Sequence, residues 1–307
     1  MKKIGMLFPD YASQYVGMAK ELYDSSRVMQ EYFEEASNCL NVNFVKLCFA
    51  ASDIELSKID NAYTALFLTS AALAAFLKEN NIMPTLVAGY GIGEFSAVHV
   101  AGGLSLPDGL YLLNKYAHFY EELLGHLKVS LMQIRGIKTL KLKKLCSLIS
   151  SAIHKVYIAA YNNADDHLLA GHTDMVNLVA QGVKELGGIA YKDRVERGLH
   201  GDLMEMVVNN LKKYLTKVDF KDLQVPLIAS VDGLLVQKGD LVKRRLMKQL
   251  HAPLLWDKVM ASFAECDIIV EIGPGTTLSK LVKQQYPEKP SCAINKKSDF
   301  QDLEHLL

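Results

Sequence analysis

The chain has 307 residues, half of them hydrophobic, and its 34 Lys and Arg residues balance its 34 Asp and Glu residues. This length and composition are typical of a globular α/β protein with a full hydrophobic core. A formal net charge of zero excludes a strongly basic protein, so we expect neither nucleic acid nor a membrane as a partner.

The five cysteines are too scattered to predict a disulfide framework, and none lies in a Cys/His pattern with metal-site spacing. The apolar run within Met1 to Phe8 is too short for a signal peptide. The longest apolar stretch, Ala62 to Leu77, is interrupted by hydroxyl groups and is shorter than a membrane span. We therefore expect a cytoplasmic protein that holds no metal and no cofactor.

Strands and helices alternate along the first 125 residues. Lys3 to Phe8 is an apolar run typical of a buried strand, and Pro9 follows it. The spacing of apolar residues predicts helices next at residues 13–22, 28–40 and 61–78. Pro84 opens a second strand that leads into a glycine turn, and helices follow through His99 and at residues 107–124.

From about residue 126 the order of predicted elements changes to βαββαβ, which is the ferredoxin-like pattern. The strands are predicted at 129–134, 155–161, 166–171 and 189–195, and the helices at 138–151 and 175–186. Alternation then resumes, with helices at 202–215, 241–250 and 256–264 and from 277, and strands at 225–230, at 267–272 and near residue 292. We predict a large α/β domain with a mostly parallel sheet (1–125 and 197–307) and an inserted subdomain (126–196).

The most informative stretch is Leu86 to Ala97, with the sequence LVAGYGIGEFSA. An apolar run, a glycine turn and a helix follow one another with the spacing of G-x-S-x-G, which places a serine nucleophile on a strand-to-helix elbow. The central position is Gly91, and glycine has no oxygen that could attack a substrate. We therefore predict an elbow that lacks the serine nucleophile and the nucleophilic attack that this serine would carry out.

Six motifs in order resemble the malonyl-CoA:acyl-carrier-protein transacylase family. Phe8-Pro9-Asp10-Tyr11-Ala12-Ser13-Gln14 and the following Gly17-Met18 are similar to F-P-G-Q-G-S-Q and G-M, and residues 89–97 with 101–105 to G-H-S-L-G-E-Y-S-A and A-G-x-L-S. Gly198-Leu199-His200-Gly201 is similar to x-F-H-S, Gln249 to Trp256 to Q-L…P-V-x-W, and Glu271 to Gly275 to E-x-G-P-G. The resemblance implies an α/β-hydrolase-like large domain with an inserted ferredoxin-like subdomain.

The resemblance also implies a chemistry and two partners. In the family an acyl group passes from coenzyme A to the elbow serine and then to the thiol of an acyl carrier protein, in fatty acid or polyketide synthesis. A histidine acts as base, two backbone N–H groups stabilise the oxyanion, and an arginine binds the malonyl carboxylate. An acyl carrier protein and acyl-CoA are therefore the implied partners of this chain.

Carried over position by position, the family's catalytic residues are largely replaced. Gly91 occupies the nucleophile position, and only the base is kept, at His200. Ile92 follows Gly91 in the cleft, and four further family cleft positions are tyrosine: Tyr11, Tyr63, Tyr90 and Tyr116. Because loss of a nucleophilic serine costs on the order of a million-fold in turnover, we expect transferase activity to be lost.

Three functions remain open at this point. The first is a degenerate transacylase, or pseudoenzyme, that binds a carrier protein or pathway partner without transferring acyl groups. The second is an active acyl-CoA or acyl-carrier transferase or hydrolase in which His200 activates water or the carrier thiol. The third is a scaffold or ligand-binding protein that uses the tyrosine cleft, which the four rings either fill or rebuild as an aromatic pocket.

Three further features allow a functional and a structural interpretation. The basic runs Lys138–Lys144 and Lys243–Arg245 are either solvated helix faces or docking surfaces for an acidic partner. Gly273-Pro274-Gly275 is predicted as a structural turn, because it matches no phosphate-binding motif. Ser96 is predicted to pack inside its helix, since it lies more than one turn beyond the elbow.

Overall fold

The computed structural model describes residues 2–192 and 199–307. Its strands are β1 (Ile4–Phe8), β2 (Leu86–Gly89), β3 (Val129–Arg135), β4 (Val156–Tyr161), β5 (Asp166–His172), β6 (Ile189–Lys192), β7 (Leu227–Ile228), β8 (Leu235–Val236), β9 (Ile268–Ile272) and β10 (Ser291–Ile294). Its helices are α1 (Lys20–Ser25), α2 (Arg27–Leu40), α3 (Phe44–Phe49), α4 (Asp53–Leu56), α5 (Ile59–Glu79), α6 (Gly93–Val100), α7 (Leu106–His126), α8 (Thr139–Ile149), α9 (Thr173–Glu185), α10 (Glu205–Leu215), α11 (Gly239–Leu250), α12 (Trp256–Ser262), α13 (Thr277–Gln285) and α14 (Lys297–Leu306).

The larger sheet has the strand order β10-β9-β1-β2-β7-β8. All its neighbouring pairs are parallel except the edge hairpin β7–β8. The central strands β1 and β9 are buried along their whole length, as their uninterrupted apolar sequences predict for a sheet covered on both faces. The predicted mostly parallel α/β architecture is confirmed.

The smaller sheet is antiparallel, with the strand order β4-β5-β3-β6. Its strands and the helices α8 and α9 follow one another as βαββαβ, so this part of the chain has the ferredoxin-like arrangement. The exact domain boundaries stay a prediction. The boundary at 196 and 197 and the end of the fourth predicted strand, residues 193–195, lie outside the described residues.

The helix α5 lies in the core of the larger part. By length and composition alone it could cross a membrane, but 72% of its most apolar window is buried inside the protein. Phe67 on α5 approaches α7 so closely that a Cβ on Gly109 would overlap its ring. The apolar residues of α5 therefore do not lie on one face only, because the helix is buried on nearly all sides.

Two predicted elements differ from the observed ones. The helix predicted at 13–22 begins only at Lys20, because Gly17 and Ala19 adopt left-handed φ angles of 90° and 58°, which a right-handed helix cannot contain. The strand predicted at 225–230 pairs only at Leu227–Ile228, since the chain turns into the β7–β8 hairpin. The short helices α3 and α4, the strand β8 and the final helix α14 were not predicted.

Candidate active site

The elbow lies between β2 and α6, at the carboxyl edge of the larger sheet. Gly91 has a left-handed φ of 54° and lies two residues before the start of α6. The turn is tight, because the amide of Gly93 donates to the carbonyl of Tyr90 at 2.9 Å. A Cβ on Gly93 would overlap the backbone of Phe8, so the close approach of the two loops requires glycine there. The structure thus has the predicted strand–turn–helix elbow.

The carboxylate of Asp10 fills the space beside Gly91. A Cβ placed on Gly91 would lie 2.5 Å from Oδ2 of Asp10 and still closer to Oδ1, which is shorter than any ordinary contact. Oδ1 accepts a hydrogen bond at 2.9 Å from the backbone N–H of Ile92, the residue after the elbow tip. Asp10 is only 6% exposed. A buried acid therefore occupies the position in which a nucleophile side chain would lie.

Strand pairing explains this juxtaposition across 81 sequence positions. β1 and β2 are parallel neighbours in which Phe8 pairs with Gly89. The chain segments that follow them therefore leave the same edge of the sheet side by side, which places Asp10 against Gly91.

His200 lies buried near the elbow and is held by Gln249. Its Nδ1 lies 2.9 Å from the backbone carbonyl oxygen of Gln249, and the side-chain amide of Gln249 donates to the carbonyl of Gly91 at 3.3 Å. Because a carbonyl only accepts, Nδ1 carries the proton and Nε2 is the unprotonated nitrogen. Among the described residues, Nε2 has no hydrogen-bond partner.

Burial lowers the pKa of His200 below its ordinary value, although the nearby charge of Asp10 and the Gln249 carbonyl oppose this change. The imidazole is therefore neutral near pH 7, which is the form that a general base requires. The elbow residue beside it has no hydroxyl whose proton it could accept.

Three of the four predicted cleft tyrosines form one buried cluster. The ring centroids of Tyr11 and Tyr63 are 5.5 Å apart, and those of Tyr63 and Tyr116 are 5.3 Å apart. The hydroxyl of Tyr11 donates to the carbonyl of Ser57 at 2.8 Å, which fixes the loop after β1. Burial, and to a lesser degree the charge of Asp10, raises the pKa of the Tyr63 and Tyr116 hydroxyls. These rings fill the space below the elbow.

Tyr90 points the other way, towards the smaller sheet. Its hydroxyl donates to Oδ1 of Asn162 at 2.9 Å, and Nδ2 of Asn162 donates to Oδ1 of Asp166 at 2.9 Å. Asp166 also accepts from Gln133 and, at 2.9 Å, from Nε of Arg135. This network of buried and half-buried polar groups joins the elbow to β3 and β5.

A cavity of about 300 Å³ lies between the elbow and the smaller sheet. Asp10, Tyr11 and Tyr90 contribute to its wall from the elbow side, and Arg135 and Asp166 from the smaller sheet. Of the predicted cleft residues, Tyr63, Ile92 and Tyr116 do not line this cavity, because their side chains are buried. The tyrosines therefore both fill one part of the cleft and line another.

The acyl transferase domain family profile matches residues 6–302. The chain belongs to this family.

Individual relatives agree with this assignment. The malonyl CoA-acyl carrier protein transacylase of Bacillus subtilis strain 168 is 32% identical over 288 residues, covering 92% of this chain and 90% of that protein. The crystal structure of FabD from Acinetobacter baumannii has a TM-score of 0.94 at 27% identity and covers 99% of this chain and 98% of its own. The malonyl-transacylase PlMCAT, solved with the type II polyketide synthase carrier protein AntF, has a TM-score of 0.94 at 25% identity and 99% coverage of both chains. The predicted family and fold are confirmed.

The sequence did not lead us to predict a role for Asp10 or for the polar network around Asp166. A signal for Asp10 was present, because an acid follows Phe8-Pro9 where the family motif has glycine. The network had no such signal, since its members come from separate strands and loops. Gln249 was noted as part of a motif, but its contact with His200 depends on the fold.

The remaining predicted features have local structural partners. Arg245 pairs with Asp232 at 2.9 Å, and Lys243 lies over the ring of Phe220. The amide of Gly275 donates to Oδ1 of Asn295, so the glycine turn before α13 is held by side-chain contacts. Ser96 is buried inside α6. Gly198 lies outside the described residues.

Proposed function

We propose that this acyl transferase family protein binds an acyl carrier protein of fatty acid or polyketide synthesis without transferring acyl groups to it. The observation that carries the proposal is the pair formed by Gly91 and Asp10. The elbow has no hydroxyl, and a carboxylate lies in the space that a nucleophile side chain would need.

Similarity along the whole chain supports a carrier protein as the partner. Relatives that match at least 90% of this chain carry the name malonyl CoA-acyl carrier protein transacylase, and PlMCAT forms a complex with a carrier protein. A retained fold with an altered elbow is consistent with retained binding and lost chemistry.

One observation favours a second function, slow hydrolysis or direct transfer to the carrier thiol. His200 is neutral, and its Nε2 has no hydrogen-bond partner among the residues described here, so it can accept a proton. A water molecule or a thiol would then have to supply the nucleophile that Gly91 lacks.

The experiment that separates the two functions uses the purified protein with radiolabelled malonyl-CoA and acetyl-CoA, with and without holo carrier protein. A transacylase with an elbow serine and the His200→Ala variant run in parallel. The proposal predicts binding of the carrier protein and no label on carrier or free acid above the rate without protein. Label transfer that His200→Ala abolishes would establish the second function instead.

A further inference from the structure

Asp10 uses the hydrogen-bond donor that a substrate carbonyl would need. In acyl transfer, preorganised N–H groups stabilise the negative charge that develops on the thioester oxygen. The N–H of Ile92 is the donor directly after the elbow tip, and Oδ1 of Asp10 accepts from it at 2.9 Å. A thioester carbonyl therefore cannot bind this N–H unless Asp10 moves.

The space beyond the elbow is also filled. Tyr11, Tyr63 and Tyr116 are at most 6% exposed and pack ring against ring. Open volume is present towards the smaller sheet, in the 300 Å³ cavity to which Asp10 and Tyr90 contribute. The arm of a carrier protein that ends in a free thiol needs less of this filled space than an arm that ends in an acyl group.

We propose that Asp10 is a built-in occupant of the acyl position, so that the cleft admits the free thiol of a carrier protein and rejects its acylated forms. Asp10 is thus a specificity-determining residue. This inference deepens the proposed function and rests on it, because it takes a carrier protein as the partner.

The first test compares the affinity of holo, acetyl and malonyl carrier protein for the wild type and for Asp10→Gly and Asp10→Asn. We expect holo carrier to bind the wild type at least about 10-fold more tightly than either acylated carrier. Asp10→Gly frees the space and the N–H of Ile92 and should weaken the discrimination against both acylated carriers. Asp10→Asn has the same shape and can still accept from this N–H, so it should keep most of the discrimination. Equal affinity of the wild type for all three carriers would overturn the proposal.

The second test needs no carrier protein and measures whether Asp10 occupies the space beside Gly91. Thermal unfolding is followed for Gly91→Ser in the wild-type and Asp10→Gly backgrounds. Gly187→Ser is the matched control, because Gly187 has a left-handed φ of 81° but nothing within 4 Å of an added Cβ.

We expect Gly91→Ser to lower Tm by roughly 3–10 °C more than the control does, and Asp10→Gly to remove most of this excess. An excess that is the same in both backgrounds would show that Asp10 does not occupy this position. If no carrier form binds, the proposed function and the carrier selectivity both fail, whereas this coupling still decides the placement of Asp10.

Discussion

The backbone carbonyl of Gln249 accepts a hydrogen bond from Nδ1 of His200 at 2.9 Å and so keeps Nε2 unprotonated beside an elbow without a hydroxyl. The same residue donates through its side chain to the carbonyl of Gly91. Gln249 therefore maintains the relative position of base and elbow. This role is structural whether or not any chemistry remains.

The first prediction concerns the contribution of His200 to stability. His200→Ala removes a buried hydrogen bond and leaves the Gln249 carbonyl without this partner, so we expect the free energy of unfolding to fall by about 1–3 kcal/mol. Urea unfolding of the variant measures this loss. His118→Ala on the exposed face of α7 is the control and should change stability by less than about 0.5 kcal/mol. Equal losses for both variants would contradict the structural role of His200.

The second prediction concerns pH. Burial lowers the pKa of His200, so between this pKa and the ordinary value near 6.5 the unfolded chain binds more protons than the native protein. Stability from this group is therefore present above about pH 6.5 and is lost as the pH falls. His99 and His167 change stability in the same direction.

Comparison with His200→Gln isolates the contribution of His200. The stability difference between wild type and His200→Gln should be largest near pH 8 and should shrink towards pH 5. Urea unfolding across this range measures the difference. A difference that is constant with pH would mean that the His200 pKa is the same in the folded and unfolded states.

The third prediction concerns Glu94, which is fully buried in α6 and accepts hydrogen bonds from the backbone N–H and the hydroxyl of Ser230. Burial raises its pKa from 4.5 to about 7. The native protein thus binds more protons than the unfolded chain in this range, and stability from this group is lost as the pH rises from 4.5 through 7.

Glu94→Gln cannot ionise, so its stability relative to the wild type should increase by up to about 3 kcal/mol between pH 4.5 and 8. Thermal or urea unfolding at several pH values measures this trend, with the exposed Glu121→Gln as the control. A relative stability that falls with pH would contradict the raised pKa.

The fourth prediction concerns Asp166, whose carboxylate accepts from Asn162, Gln133 and Arg135. Asp166→Ala leaves the first two donors buried without this acceptor, while the half-exposed Arg135 can turn to solvent. We expect a loss of about 2–4 kcal/mol in the free energy of unfolding. The neighbouring Asp165→Ala should cost much less, and equal losses would show that the network adds no stability.

Local patterns predicted the elements and the elbow well. The apolar runs of β1, β2 and β9 and the glycine spacing around Gly91 determined where strands and turns lie, because these signals are short-range. The helix predicted at 13–22 was wrong in its first part, because left-handed residues interrupt an otherwise helical pattern. The site residues taken from the family resemblance stay a prediction, and the sequence analysis did not predict that Asp10 lies beside Gly91.

The sequence by itself indicated the acyl transferase fold through the resemblance of six motifs in order along the chain, and it placed Gly91 at the elbow through the glycine spacing of a few residues. Only the tertiary structure decided that Asp10 lies against Gly91, that Gln249 holds His200 and that Asp166 joins Tyr90 to the smaller sheet. These contacts depend on which strands are neighbours and on how loops far apart in sequence pack, and no local pattern encodes that geometry.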